Sequence, residues 1–237
     1  MSDDVTSFKS MAAYHAVDFV KSGMIIGLGH GSTAIFALRR ISYLLSTGVL
    51  KDILGVPCSQ QVENEAIKLG MELTTLEEHS RLDLAIDGAD EVDPDLNLIK
   101  GRGGALLREK IVAQASLREI IVVDESKLSP ALGTHSLIPL EIVPFGLKTQ
   151  KDYLEKLGAQ VGIRKSDNGD FFKTDQGNFI FDCKFGPIKD PCRLSAVLCE
   201  RAGVVEHGLF IGMATDIMVA GPGGLRHLKK SIQRQHP

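Results

Sequence analysis

Lys100-Gly101-Arg102-Gly103-Gly104 is followed by a helical stretch that carries Glu109. Glycines let a backbone approach a ligand closely, Lys100 can neutralise an oxyanion, and Glu109 lies about one turn into the helix, near enough to face the same pocket. A carboxylate base opposite a cation is what proton abstraction beside a carbonyl needs: the carboxylate takes the proton and the ammonium steadies the enediolate that forms. Alone, Arg108-Glu109-Lys110 is an ordinary charged helix face, so the pair acquires meaning only from its neighbours.

A second group of residues is Asp87-Gly88-Ala89-Asp90-Glu91-Val92-Asp93-Pro94-Asp95, directly after the apolar run Leu82 to Ile86. Two carboxylates three residues apart in a turn can converge on adjacent sugar hydroxyls or share a proton. The spacing does not fit a calcium loop of D-x-[DN]-x-[DN]-G form, and an incidental Mg²⁺ site is the lesser alternative. Asp87 and Asp90 are read as the functional pair, and Glu91, Asp93 and Asp95 as solvated turn acids.

The third is Gly27 to Thr33, a turn between a strand and a helix, where helix N-terminal amides and the Ser32 and Thr33 hydroxyls suit a phosphate. It lacks the lysine of a Walker loop. As a dinucleotide fingerprint it fails too, because its third glycine would fall at Ser32 and no acid follows the next strand at Pro57-Cys58-Ser59. A glycine turn with Ser/Thr helix caps is the plainer alternative for this loop taken alone.

These loops need elements to hold them. Apolar residues at helical spacing from Phe8 to Val20, stopped by Gly23, predict a first helix, and further helices are predicted over 34–45, 60–69 and 105–115. Between them, 24–28, 53–56, 82–87 and 120–124 read as buried strands. Strands alternating with helices indicate a parallel sheet covered on both faces. After Gly133 the rhythm changes: strands at 138–143, 160–163, 171–173 and 179–183, with helices over 150–157 and 190–202, suit a small α+β unit. Asp167-Asn168-Gly169 supplies a turn. The segments 209–211 and 217–220 are predicted to return as core strands to the first domain. The expected fold is thus α/β, a Rossmann-like parallel sheet with helices on both faces plus a smaller α+β (ferredoxin-like) domain. Residues 1–133 and 209–237 are assigned to the catalytic domain and 134–208 to the smaller one.

The 237 residues carry 27 Lys+Arg against 30 Asp+Glu, a formal net charge of −3. That balance argues against a protein that neutralises many nucleic-acid phosphates. No apolar run approaches the ~18–20 residues of a membrane helix, and the N-terminus has no secretory signal pattern. Cys58, Cys183, Cys192 and Cys199 form no Cys-x-x-Cys pair, so reduced thiols and a cytoplasmic setting are expected, with no metal site.

Taken together, the chain resembles the type A ribose-5-phosphate isomerase family, through GLGHGSTA from Gly27, DGADEVDP from Asp87, KGRGGALLREK from Lys100, VVDESKL from Val122, PLEIVPF from Pro139, DQGNFIFD from Asp175 and GLFIGMATDIMVAG from Gly208. The resemblance implies interconversion of D-ribose 5-phosphate and D-ribulose 5-phosphate in the pentose phosphate pathway, with a sugar phosphate as the small-molecule partner, no metal or organic cofactor, and a homodimer or tetramer. It places the general base on Glu109 and substrate contacts on His30, Gly31, Ser32 and Thr33, on Asp87, Gly88, Ala89 and Asp90, on Lys100, Gly101, Arg102 and Gly103, and on Lys127. Asp87 is read as the proton partner in ring opening and Lys100 as the enediolate's counter-ion. The family usually has Thr at position 30 and commonly Gly at 102, so the His30 and Arg102 side chains are departures. A protonated His30 would add positive charge beside a phosphate and make affinity fall as pH rises. Rival readings are a sugar-phosphate lactonase or deaminase, a coenzyme A transferase with a glutamate nucleophile, and a phosphosugar-sensing regulator. The regulator would need a helix-turn-helix that the first 20 residues do not supply.

Overall fold

The structure, a computed structural model, describes residues 2–229. In chain order the first half runs α1 (Ser2–Val17), β1 (Ile25–Leu28), α2 (Ala34–Ser46), β2 (Leu54–Pro57), α3 (Gln60–Lys68), β3 (Leu84–Asp87), β4 (Glu91–Val92), β5 (Leu98–Ile99), α4 (Leu106–Ala115) and β6 (Glu119–Asp124). A single 3₁₀ turn over Glu125–Lys127 follows. The second half runs β7 (Ile138–Ile142), α5 (Leu147–Lys156), β8 (Gln160–Ile163), β9 (Phe179–Lys184), α6 (Pro191–Cys199), β10 (Val204–His207), β11 (Leu209–Phe210), β12 (Asp216–Gly221) and β13 (Gly224–Lys229).

The main sheet has the order β13-β12-β6-β3-β1-β2, parallel throughout except for the antiparallel edge strand β13. Ile120, Val122, Met218 and Ala220 pack with Ala12, Ala13 and Ala16 of α1. Their alternate neighbours Ile121, Val123, Ile217 and Val219 join Ala113 of α4 with Val92, Leu98 and Phe210. Successive strand residues point to opposite faces, so these two clusters show a sheet buried on both sides, which is why its strands read as unbroken apolar runs. Because β1 lies between β2 and β3, the chain leaves it toward one side and later returns to the other. That reversal is the switch point where ligands of open α/β sheets bind, beyond the strands' carboxyl ends.

The second sheet, β10-β7-β9-β8, is antiparallel. With α5 and α6 it forms a β-α-β-β-α-β unit of ferredoxin-like order. Its core of Ile138, Leu140, Ile142, Leu154, Phe181 and Leu198 also takes in Ile99, Leu132 and Leu209 from the flanking chain.

Several expectations are corrected. The first helix ends at Val17, and Val20 is buried in the turn after it. Residues 171–173 form no strand: Phe171 and Lys173 make only isolated bridges, to Lys165 and Phe179, on two different stretches of chain, so no continuous ladder builds up. Of residues 209–211, expected as a strand, Leu209–Phe210 form β11, which pairs with β5 in a three-stranded ribbon, β11-β5-β4. Glu91 and Asp93 are not solvated. The carboxylate of Glu91 is fully buried and accepts the backbone N–H groups of Gly133, Thr134, His135 and Ser136, while Asp93 accepts those of Asp95 and Asn97. Both tie the loop after β3 to the chain around it. Of the segment assigned to 209–237, residues 230–237 lie outside the described residues.

Candidate active site

The loops after β1 and β3 meet at the switch point. Gly29 passes so close to Asp87 that a Cβ there would fall 2.4 Å from the carboxylate and from the Ile86 carbonyl oxygen; only glycine fits. This contact lets the His30 N–H donate to Asp87 Oδ1 at 2.9 Å. The following residues lead into α2, whose N-cap Thr33 makes no side-chain capping bond. The Ser32 and Thr33 amides belong to a helix start that carries partial positive charge. Lys9 of α1 reaches across and donates to Ser32 Oγ at 2.9 Å.

Opposite lies the lysine. Lys100, 2% exposed, places Nζ 2.9 Å from Asp87 Oδ2, 3.4 Å from Glu109 Oε1 and 2.6 Å from the Gly88 carbonyl oxygen that accepts its proton. Burial pushes the ammonium toward losing its proton, but Asp87 and Glu109 outweigh it and hold the pKa above the ordinary lysine value. Glu109, on the first turn of α4, is equally buried, and its Oε2 has no hydrogen-bond partner. Burial raises its pKa to about 8; Lys100 opposes the shift, and Asp87 adds to it.

A cavity of about 350 Å³ joins the two ends, lined by His30, Gly31, Ser32, Thr33, Gly88, Ala89, Asp90, Lys100, Gly101, Arg102, Gly103, Glu109 and Lys127. Every expected site residue except Asp87 is therefore on its wall. Asp87 stands behind it, with its oxygens taken by the His30 and Gly88 amides and Lys100. Arg102 contributes chiefly backbone, its N–H donating to Asp90 Oδ2 at 3.0 Å. Lys9, also on the wall, is the residue that sequence reasoning missed: a lone lysine on an amphipathic helix carries no local signal. The His30 ring accepts or donates at Ser59 Oγ through Nδ1, at 2.9 Å, and covers Gly103, where a Cβ would come 2.3 Å from Nε2. Burial lowers its pKa, which Asp87 only partly opposes, so the ring is neutral at pH 7 and adds no charge there.

Among the described residues Cys199, Glu206 and His207 come close enough to hold a metal, but their donors are engaged. His207 Nδ1 accepts the Leu209 N–H, which leaves the proton on Nε2 of the neutral ring, and Glu206 Oε1 is 2.6 Å from Lys110 Nζ. The trio is a tie between α4 and the second sheet rather than a ligand set.

A carboxyl poised near neutrality beside a buried ammonium, with a helix N-terminus and a lysine across one small cavity, defines the class: an enzyme that moves protons on a small phosphorylated molecule. A family model described as ribose 5-phosphate isomerase A (phosphoriboisomerase A) matches residues 54–224. The ribose-5-phosphate isomerase A of Chloroflexus aurantiacus is 57% identical over 94% of this chain and 93% of its own, and that of Desulfatibacillum aliphaticivorans 52% identical over 94% and 97%. Among solved structures, ribose 5-phosphate isomerase from Plasmodium falciparum superposes with a TM-score of 0.92 at 45% identity, covering 95% of this chain and 99% of its own. A D-ribose-5-phosphate isomerase in complex with phospho-erythronic acid gives 0.93 at 38%, with the same coverage. The chain belongs to the ribose 5-phosphate isomerase A family.

Proposed function

We propose the following route by which this chain interconverts D-ribose 5-phosphate and D-ribulose 5-phosphate. The phosphate lies at the start of α2, held by the Ser32 and Thr33 hydroxyls and loop amides, with Lys9 and Lys127 supplying positive charge. The sugar ring opens first, with Asp87, coupled to the cavity through Lys100, as proton partner. Glu109 then takes the C2 proton of the open aldose, a cis-enediolate forms with its charge against Lys100, the O2 hydroxyl proton passes to O1, and Glu109 returns its proton to C1, leaving a carbonyl at C2. Asp90 orients the hydroxyls. The observation that carries this reading is Glu109 itself, whose buried Oε2 has no partner while Oε1 lies 3.4 Å from an ammonium. A base needs that free lone pair, and a pKa near neutrality suits it to both halves of the transfer. Glu109→Gln keeps the fold and phosphosugar binding and loses turnover by about two to four orders of magnitude, measured on chelator-treated protein; near-wild-type turnover rejects the assignment.

Two coarser matters complete the proposal. The chain divides functionally into 1–133 with 209–237, which carry the chemistry, and 134–208. It works as a cytoplasmic homodimer that binds no nucleic acid. Four free cysteines support a reducing compartment, and the near-neutral charge supports the absence of nucleic-acid binding. No helix among the described residues is long and apolar enough to cross a membrane.

A further inference from the structure

The loop that follows Lys100 is gripped from the second sheet. Arg164, just past β8, donates from Nη1 to the carbonyl oxygens of Gly101 at 3.1 Å and Arg102 at 2.8 Å. Its remaining edge, Nε and Nη2, pairs with the two carboxylate oxygens of Asp182 on β9. Both side chains are mostly buried. The ring of Phe172 lies beside the guanidinium and closes over Gly104, where a Cβ would meet it at 2.4 Å. All donor directions of the planar guanidinium are thus fixed by a paired carboxylate, and what they fix in turn is the orientation of two peptide groups.

Those two peptides join residues that line the cavity. The group between Gly101 and Arg102 is pinned from both sides, its carbonyl by Arg164 and its N–H by Asp90. The next group, between Arg102 and Gly103, has its carbonyl on Arg164, while the N–H of Gly103 has no acceptor among the described residues. Every peptide of the described chain is trans, and in a trans peptide the carbonyl and N–H point in opposite directions. Turning the Arg102 carbonyl toward Arg164 therefore turns the Gly103 N–H away from it, on a residue that lines the cavity beside Lys100.

We infer that Arg164 is a positioning residue for the isomerisation: held by Asp182, it sets the 102–103 peptide so that the Gly103 N–H joins Lys100 as a donor to the enediolate oxygens. The ferredoxin-like unit thereby takes part in the chemistry without touching substrate. The inference rests on the assignment of Lys100 and its loop to the enediolate, made above. A donor that must be preorganised loses most of its value when its peptide is free to rotate.

The test uses the full-length enzyme with Arg164→Met, which keeps much of the stem and removes the guanidinium, and Arg164→Lys, which restores a charge but not the fork. Two probes separate the ends of the cavity: phospho-erythronic acid, whose carboxylate brings negative charge to the reacting end, and inorganic phosphate, which reads the α2 end alone. For Arg164→Met the expected result is a kcat lowered about 10- to 100-fold with KM changed less than about threefold. Affinity for phospho-erythronic acid falls and affinity for phosphate is unchanged, with partial recovery in Arg164→Lys. An unchanged kcat, or equal loss of both probes, overturns the inference. Should Arg164→Met fail to fold, as read by its thermal melt, Asp182→Asn frees the guanidinium with the stem intact and is read by the same criteria. Lys100→Met is the control for the underlying assignment: if it keeps phospho-erythronic acid affinity, that assignment fails, whereas loss there with an intact Arg164→Met enzyme sinks only the present inference.

Discussion

Asp87, Lys100 and Glu109 form one buried cluster, with the Lys100 ammonium 2.9 Å from one carboxylate and 3.4 Å from the other. In this cluster the lysine keeps its proton and the burden falls on Glu109, raised to about 8 by burial against the pull of Lys100. A base must be unprotonated to act, so kcat/KM climbs with pH and levels off above the raised value. Because Lys100 is what restrains the shift, Lys100→Gln moves that climbing limb to higher pH as well as lowering the plateau; a pH–rate profile for both enzymes checks the direction, and a limb that stays in place or moves down contradicts it. This part of the site was legible in advance because the residue types are scarce and their spacing specific: a lysine before a glycine run and a glutamate one turn into the next helix have few joint uses. Asp87 was legible as a site residue but not as one behind the wall, since whether a carboxylate is filled by two amides and an ammonium depends on backbone that only the folded loops supply. Lys9 was not legible at all, because its partner Ser32 lies 23 residues away and no window contains both.

Helix α4 carries Glu109 toward the cavity, and its next residue toward the second sheet. Successive helical residues lie about 100° apart, so Lys110 cannot share the pocket. It is buried, with Nζ 2.6 Å from Glu206 Oε1, 2.7 Å from the His207 carbonyl oxygen and 4.8 Å from the centre of the Phe210 ring. Burial lowers its pKa, and Glu206 limits the fall. Lys110→Met leaves the His207 carbonyl without its donor and the mostly covered Glu206 carboxylate without its counter-ion, keeping only the His207 N–H, and should destabilise the protein by about 2–4 kcal/mol; a urea titration shows this as a lower midpoint with an unchanged slope. An undiminished midpoint would mean that the tie contributes nothing. As sequence, Lys110 reads as part of a charged surface. The long elements were read well because six or more residues of apolar patterning average over local accidents, as in β6 and β12. The two-residue strands β4 and β5 offer no period to read, and β11, legible as a strand, pairs with a segment more than a hundred residues earlier in the chain. Helix α5 starts earlier than expected because its N-cap is Gly146, without a side-chain capping bond to announce it.

Across the whole molecule, opposite pKa shifts make stability fall toward both alkaline and acid pH. Glu119, at the start of β6, is 2% exposed with Oε2 unpartnered, and burial, reinforced by Asp87, raises its pKa to about 8. The folded state keeps a proton that the unfolded chain releases above its ordinary value of 4.5. Stability from this group is therefore complete below about pH 4 to 5 and is lost as pH rises to about 8, and Glu109 acts in the same sense. Asp216 works oppositely. Burial alone would raise it, but hydrogen bonds from Arg118, Thr215 and His227 hold it well below the usual carboxylate range, so its contribution is present above about pH 4 and lost as the solution is acidified. His207 acts in the same sense as Asp216, because burial lowers its pKa to about 4, so melting temperature should be lower at pH 8.5 and at pH 3 than in the range between. Glu119→Gln, which is neutral in both states, should raise the melting temperature at pH 8.5 by about 5 °C and leave it nearly unchanged at pH 5. Asp216→Asn should lower it at pH 7, and by progressively less as the solution is acidified below about pH 4. If Glu119→Gln shifts the melt equally at both pH values, the change is in packing rather than in proton binding. If it shifts neither, the carboxyl ionises freely in the folded protein and β6 is wetter at that end than the packing of α1 against it allows.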